Sequence, residues 1–268
     1  MSARVWDPAL FEGRVVAVSG AASGIGAAIA QAFLDCGAVV VGGDIDEAAG
    51  RRFAERLPEG VRSRFRAVAL DVADPESAGA FADGIAATEG RLDLLVNNAG
   101  VAPVGSATDT SDATWRRVMS VDLDGAFYLA RAALPLLIAN GGSIVNTASV
   151  SGTGADFNYA AYNAAKGAIV NLTRSLAVDY GKKGVRVNAI APGPVRTPLL
   201  QGNLDALPGL EQAFHRFIPL GRIAEPDEVA GAVVFLASPA ASFITGVILP
   251  IDGGVTAWNG QPNGDFVD

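Results

Sequence analysis

The chain has 268 residues, 50% of them hydrophobic and only 18% charged, with a formal net charge of −8. That is ample for a large core, and the acidity argues against nucleic acid or an anionic membrane surface, both of which ask for a basic face. One cysteine, Cys36, and one histidine, His215, exclude an internal disulfide and a cysteine metal site, and argue against a zinc centre or a Ser-His-Asp triad.

Residues 1–12 carry Asp7 and Glu12 and no apolar run, so they do not read as a signal peptide. No stretch approaches the roughly 18 apolar residues of a membrane span. A soluble, cytoplasmic protein is expected, with no metal. Short apolar runs at 15–19, 39–43, 65–70, 92–96, 143–147, 185–190 and 247–251 are expected strands. They are apolar nearly throughout rather than alternating, as strands buried on both faces are. Helical periodicity falls between them, near 25–36, 46–57, 75–88, 111–139, 157–180 and 226–237. Strand–helix alternation predicts an α/β fold, a doubly wound parallel sheet with helices on both faces. No composition break interrupts it, so 1–268 reads as one domain.

After the first strand, Gly20, Gly24 and Gly26 open a helix. Glycines let backbone approach a pyrophosphate, and a helix N-terminus offers amide donors and a favourable dipole. The plainer reading is a tight turn with close packing; the strand–turn–helix setting favours the dinucleotide. Asp44 ends the second strand, where a carboxylate can accept from both ribose hydroxyls and repel a 2′-phosphate, which argues for NAD. Asp46 is the better candidate for the next helix cap. Asp71 and Val72 follow the third strand; direct base contact and a cap or turn are equally good readings. Asn97, Asn98, Ala99 and Gly100 end the fourth strand, and tying neighbouring strands together is the stronger reading for Asn97.

Tyr162 and Lys166 stand at i and i+4, on one helix face, with Ser149 upstream. An ammonium held one turn from a phenol favours the phenolate, and a serine hydroxyl opposite can hold a substrate oxygen. This is proton-transfer chemistry without histidine or metal. Residues 192–225, rich in Pro, Gly and Leu, read as an irregular stretch that covers a substrate.

As a set, Gly20 to Gly26, Asp71, Asn97 to Gly100, Ser149, Tyr162-x-x-x-Lys166, Pro192-Gly193, Thr197 and Ile251-Asp-Gly-Gly254 closely resemble the short-chain dehydrogenase/reductase family over essentially the whole chain. The resemblance implies a Rossmann-type seven-stranded parallel sheet, NAD as cofactor, and an alcohol–ketone oxidoreductase. It implies Tyr162 as general acid/base, Lys166 on the nicotinamide ribose, and Ser149 orienting the substrate oxygen. It also implies cofactor contacts from Gly20, Ser23, Gly24, Ile25, Gly26, Asp44, Ile45, Asp71, Val72, Asn98, Ala99, Gly100, Pro192, Gly193, Val195 and Thr197. A homotetramer paired through the helices at 111–139 and 157–180 follows from the same resemblance. One position departs: Asp122 stands in Val121-Asp122-Leu123, where the family usually has asparagine in a water-linked relay to the lysine. A carboxylate there accepts hydrogen bonds only, and Asp122 reads as a relay member or as a structural group inside the helix.

Thr153, Asp156, Phe157, Tyr159, Pro194, Leu199, Leu200, Phe214 and Phe217 are pocket candidates. They suggest a mainly apolar, cyclic or aromatic alcohol or ketone as the small-molecule partner. His215 reads as a solvated residue of the covering stretch. Trp258 and Phe266 read as interface residues or as a cap on a neighbour's pocket. The competing functions are an NADPH-dependent 3-oxoacyl reductase, which Asp44 disfavours, and an inert NAD-sensing protein, which the intact Ser149, Tyr162 and Lys166 disfavour.

Overall fold

The computed structural model describes residues 6–259 and residue 261. Phe266 lies outside the described residues. Among the described residues the chain forms β1 (Val15–Ser19), α1 (Gly24–Asp35), β2 (Val39–Asp44), α2 (Glu47–Arg56), α3 (Glu59–Arg62), β3 (Phe65–Ala69), α4 (Pro75–Thr88) and β4 (Leu94–Asn97). Then follow α5 (Asp112–Val118), a π-helical segment (Met119–Asp124), α6 (Gly125–Asn140), β5 (Ser143–Thr147), α7 (Val150–Thr153) and α8 (Ala160–Tyr180). The last elements are β6 (Arg186–Pro192), α9 (Pro198–Ala206), α10 (Leu210–Phe217), α11 (Pro226–Ala237) and β7 (Ile248–Ile251).

The strands make one seven-stranded sheet in the order β3-β2-β1-β4-β5-β6-β7, parallel throughout. The strand order reverses at β1 and β4, so their carboxyl ends flank a crevice, the usual ligand position of open α/β sheets. Successive side chains leave opposite faces. Val16, Val18, Val40, Val96, Val145 and Ile190 pack against α1 and α11 through Ile29, Phe33, Leu34, Val229 and Val233. Val15, Ala17, Val41, Leu95, Ile144 and Val187 pack against α4, α6 and α8 through Phe81, Ile85, Leu129, Leu137 and Leu176. Each fully buried Leu, Ile, Val or Phe contributes about 1.5–3 kcal/mol to this two-faced core, which is why the central strands are largely apolar. At the amino ends of β1 and β4, Asp93 ties the strands together. It accepts from the Val15 amide (2.9 Å), Arg14 (2.8 Å) and Arg91 (2.7 Å).

The structure corrects two expected elements. The helix read over 111–139 is interrupted: its middle is the π-helical segment between α5 and α6. The widened turn buries Asp122. The stretch 192–225 is not irregular but contains α9 and α10, each started by a local signal. Thr197 caps α9 by accepting from the Leu200 amide (3.3 Å), with Pro198 in the first turn. Gly209, at φ 91°, precedes α10.

Candidate active site

The glycine turn lies at the crevice between β1 and β4, and its glycines are required by what surrounds them. A side chain at Gly26 would place Cβ 2.0 Å from the Gly20 carbonyl oxygen, and one at Gly24 would meet Thr197 at 3.2 Å. Gly24 and Thr197, distant in sequence, therefore share one cleft wall. The Ser19 hydroxyl accepts from the amides of Asn98 (3.0 Å) and Ala99 (3.2 Å), and the Asn98 side chain donates to the Ser19 carbonyl (3.2 Å). These bonds lock the end of β4 to the turn. Asn97 bonds Asn146 (2.9 Å) and the Ala126 carbonyl (3.2 Å), tying β4 to β5 and α6 as expected.

Asp44 accepts from the Ala22 amide (3.0 Å) and the Asp46 amide (3.1 Å), so its carboxylate sits beside the glycine turn at the edge of the cleft. Neither residues 20–26 nor residues 45–46 supply a lysine or arginine. Asp46 caps α2 from the Ala49 amide (2.9 Å). Ile45 is exposed beside it. Asp71 accepts from the Ala73 amide (2.9 Å), the turn geometry that was one of its two readings. Val72 buries its side chain in the core, leaving its backbone for any ligand. Pro192 ends β6, Gly193 bonds back to the Ile251 carbonyl (3.0 Å), and Val195 is buried, pairing with Ala224. The residues present fit a dinucleotide: a tight glycine cradle, a helix N-terminus and a carboxylate converge there.

Deeper in the cleft, Lys166 of α8 is buried, and its ammonium lies 5.5 Å from the ring centre of Tyr162. It donates to the Thr147 carbonyl at the end of β5 (2.9 Å) and faces Asp122 Oδ2 at 3.3 Å. Asp122 Oδ1 accepts from the Val101 amide (2.8 Å). Two donors thus converge on one buried carboxylate. Burial pushes the Asp122 carboxyl above its ordinary value, against the opposing pull of Lys166 and the Val101 amide. Burial also works to discharge Lys166, yet the charge of Asp122 and the nearby Tyr162 outweigh it and raise its pKa. Gly100 completes this corner, since a Cβ there would stand 3.0 Å from Asp122 Oδ2 and 3.4 Å from Lys166 Nζ.

Ser149 ends the loop after β5 and caps α7, buried beside Ser151. Tyr159 packs edge-on to Tyr162 at 6.1 Å, and its hydroxyl accepts from Asn203 of α9 (3.0 Å). Desolvation, ahead of its neighbours, raises the Tyr159 pKa. Helix α9 therefore reaches the Tyr159–Tyr162 pair directly. Phe157, Leu199 and Phe217 are exposed. Trp258 stacks on Phe217 of its own chain at 6.3 Å. His215 is partly exposed, with Nε2 3.8 Å from Glu211. Residue-by-residue reading of the sequence missed Ser151 and Asn163, whose contacts lie in a loop without periodicity.

A family model described as Enoyl-(Acyl carrier protein) reductase matches residues 20–256. The chain belongs to the short-chain dehydrogenase/reductase family. It is 46% identical to the meso-2,3-butanediol dehydrogenase of Serratia marcescens, across 94% of this chain and 98% of that one. It is 46% identical to the cis-4-hydroxycyclohexanecarboxylate dehydrogenase of Sinomonas cyclohexanicum, across 92% and 98%. Among solved structures, a 3-ketoacyl-(acyl-carrier-protein) reductase from Brucella melitensis, complexed with NADH, superposes with a TM-score of 0.85 at 34% identity, covering 92% of this chain and 99% of that one. The protein is an oxidoreductase of this family, of the kind that interconverts an alcohol and a ketone. No helix among the described residues is long and apolar enough to cross a membrane.

Proposed function

We propose that the protein is an NAD-dependent dehydrogenase of a small, mainly apolar secondary alcohol, with a cyclic alcohol as the first candidate. The observation that carries the reading is the buried Lys166 ammonium, held by Thr147 and Asp122 beside the Tyr162 ring. Tyr162 takes the hydroxyl proton in oxidation and returns it in reduction, Lys166 favours the phenolate, and Ser149 holds the substrate oxygen. Asp122 keeps Lys166 in place and charged. The glycine turn from Gly20 to Gly26, Asp44, Asn98 to Gly100, the backbone at Asp71 and Val72, and the segment from Pro192 to Thr197 hold the cofactor. When bound, its nicotinamide supplies the hydride acceptor or donor.

The Asp44 carboxylate beside the glycine turn supports NAD over NADP. The exposed apolar side chains of Phe157, Leu199 and Phe217 support an apolar substrate, and the two related dehydrogenases act, by their names, on a small diol and a hydroxycyclohexanecarboxylate, which supports a small or cyclic secondary alcohol. We read the whole chain as one domain covered by α9 and α10. We read the partly exposed Phe127 of α6 and the exposed Val178 of α8 as part of a homotetramer surface, in a cytoplasmic protein. Tyr162→Phe keeps the ring and removes the proton, and turnover with a panel of secondary alcohols and NAD is expected to fall to background. Near-parental turnover in that variant refutes the assignment.

A further inference from the structure

The Ser149 hydroxyl belongs to a chain of hydrogen bonds that leads out of the site. Ser149 Oγ accepts from the Ser151 amide (3.1 Å) and donates to Ser151 Oγ (3.0 Å). Ser151 Oγ donates in turn to a carboxylate oxygen of Asp156 (2.5 Å). A carboxylate only accepts and a hydroxyl has one proton. Ser151 therefore spends its proton on Asp156 and offers Ser149 a lone pair. Ser149 is left with a single proton that can point either to Ser151 or to a bound oxygen.

Asp156 lies on an exposed loop, but its backbone is fixed. Its amide donates to Asn163 Oδ1 (3.2 Å), and its carbonyl accepts from Asn163 Nδ2 (2.9 Å). Asn163 follows Tyr162 on α8. The chain Ser149–Ser151–Asp156–Asn163 thus ties the end of β5, which presents the serine, to the helix that presents the tyrosine and lysine. The bond from Lys166 to the Thr147 carbonyl is a second tie between the same two elements. Both serines are buried, so their bonds are not traded for water.

We infer that Asp156 is a positioning residue that acts through Ser151 to hold the Ser149 hydroxyl at a fixed place relative to Tyr162. The inference rests on the proposed role of Ser149. Removing the acceptor at position 156 frees the Ser151 proton and lets Ser149 adopt other rotamers. The expected loss is about tenfold in kcat, below the roughly hundredfold cost of a 1 Å misplacement.

The test is alcohol oxidation by Ser149→Ala, Asp156→Ala, Asp156→Asn and the Ser149→Ala/Asp156→Ala double variant, with NAD affinity measured separately by fluorescence. Asp156→Ala should lower kcat about tenfold and leave NAD affinity unchanged. Asp156→Asn, whose Oδ1 still accepts from Ser151, should recover most of that loss. The double variant should be no slower than Ser149→Ala, because the carboxylate acts only through that hydroxyl. Additive losses in the double variant, or an asparagine variant as slow as the alanine one, overturn the inference. If Ser149→Ala is slow while Asp156→Ala keeps parental kcat, the positioning role fails and the role of Ser149 stands. If Ser149→Ala itself keeps parental kcat, the role of Ser149 fails. Should Asp156→Ala not fold, Ser151→Ala breaks the same chain one step earlier and must show the same drop.

Discussion

Asp122→Asn is the substitution whose consequences the structure specifies most closely. The Asp122 side chain has no exposed surface and that of Lys166 only 4%, with their charged atoms 3.3 Å apart. At an effective dielectric near 20, that separation corresponds to about 5 kcal/mol of attraction. Burial of the carboxylate offsets part of it. Asparagine relieves that burial cost but strands the lysine. Its one carbonyl must also serve two donors, the Val101 amide and the Lys166 ammonium, which now converge on two carboxylate oxygens. Stranding a buried charge costs about 3 kcal/mol at the lower end. For a chain of this length that is a drop of roughly 6–12 °C in Tm. Lys166 sits above its ordinary value of 10.5. Its stabilising contribution is therefore complete at neutral pH and is lost only as pH rises through the folded value. Melts at pH 7–8 read the effect with the lysine charged. Turnover with saturating NAD should stay within about tenfold, a barrier change of about 1.4 kcal/mol. An unchanged or raised Tm refutes the value placed on the pair. A loss of several orders of magnitude in turnover with Tm unchanged shows instead that the carboxylate takes part in the chemistry itself.

Two further outcomes can be checked independently. Asp44→Asn removes the charge that would oppose a 2′-phosphate. The ratio of kcat/KM for NADPH over NADH should rise about tenfold, or about 1.4 kcal/mol, and an unchanged ratio would mean that Asp44 does not face the ribose. Glu228, held by both Arg222 nitrogens at 2.6 Å and by the Glu225 amide, has its carboxyl pulled down from 4.5 to about 2. Its contribution at the start of α11 is present above about pH 4.5 and lost as pH falls toward about 2. Glu228→Gln should therefore be less stable than the parent to urea at pH 7. The difference should shrink as pH falls through that window, and a constant difference would exclude the ion pair as its source.

Most of the sheet was legible because strands buried on both faces cannot hide their apolar character. The seven runs became strands, with ends displaced by at most two residues. The glycine turn was legible for a steric reason: Gly26 stands where any Cβ would meet the Gly20 carbonyl. The π-helical turn was not legible, because apolar periodicity over 111–139 does not report a local shift from i+4 to i+5 bonding. The helices α9 and α10 were masked by the Pro, Gly and Leu content of 192–225, although Thr197-Pro198 is a cap and first-turn signal. Ser151 and Asn163 carry no motif. Their importance comes only from a loop geometry that brings Asp156 between them.

The same reasoning explains why a carboxylate is accommodated at position 122. The π turn carries Asp122 into a corner where the Val101 amide and the Lys166 ammonium both need an acceptor. A neutral amide there accepts from one donor and opposes the other, while a carboxylate accepts from the Val101 amide with Oδ1 and balances the lysine charge with Oδ2 at 3.3 Å. That balance works against part of the electrostatic help Lys166 gives to a Tyr162 phenolate. The lysine is nonetheless kept charged by the pair, since burial alone would tend to discharge it. The departure from asparagine thus exchanges some field at the tyrosine for a securely ionised lysine beside it. Asp122→Asn combined with Lys166→Met separates the two effects. If the pair works as a unit, the double variant should recover much of the stability lost in Asp122→Asn while losing turnover. A double variant no more stable than Asp122→Asn would show that the stranded ammonium was not the cause of the loss.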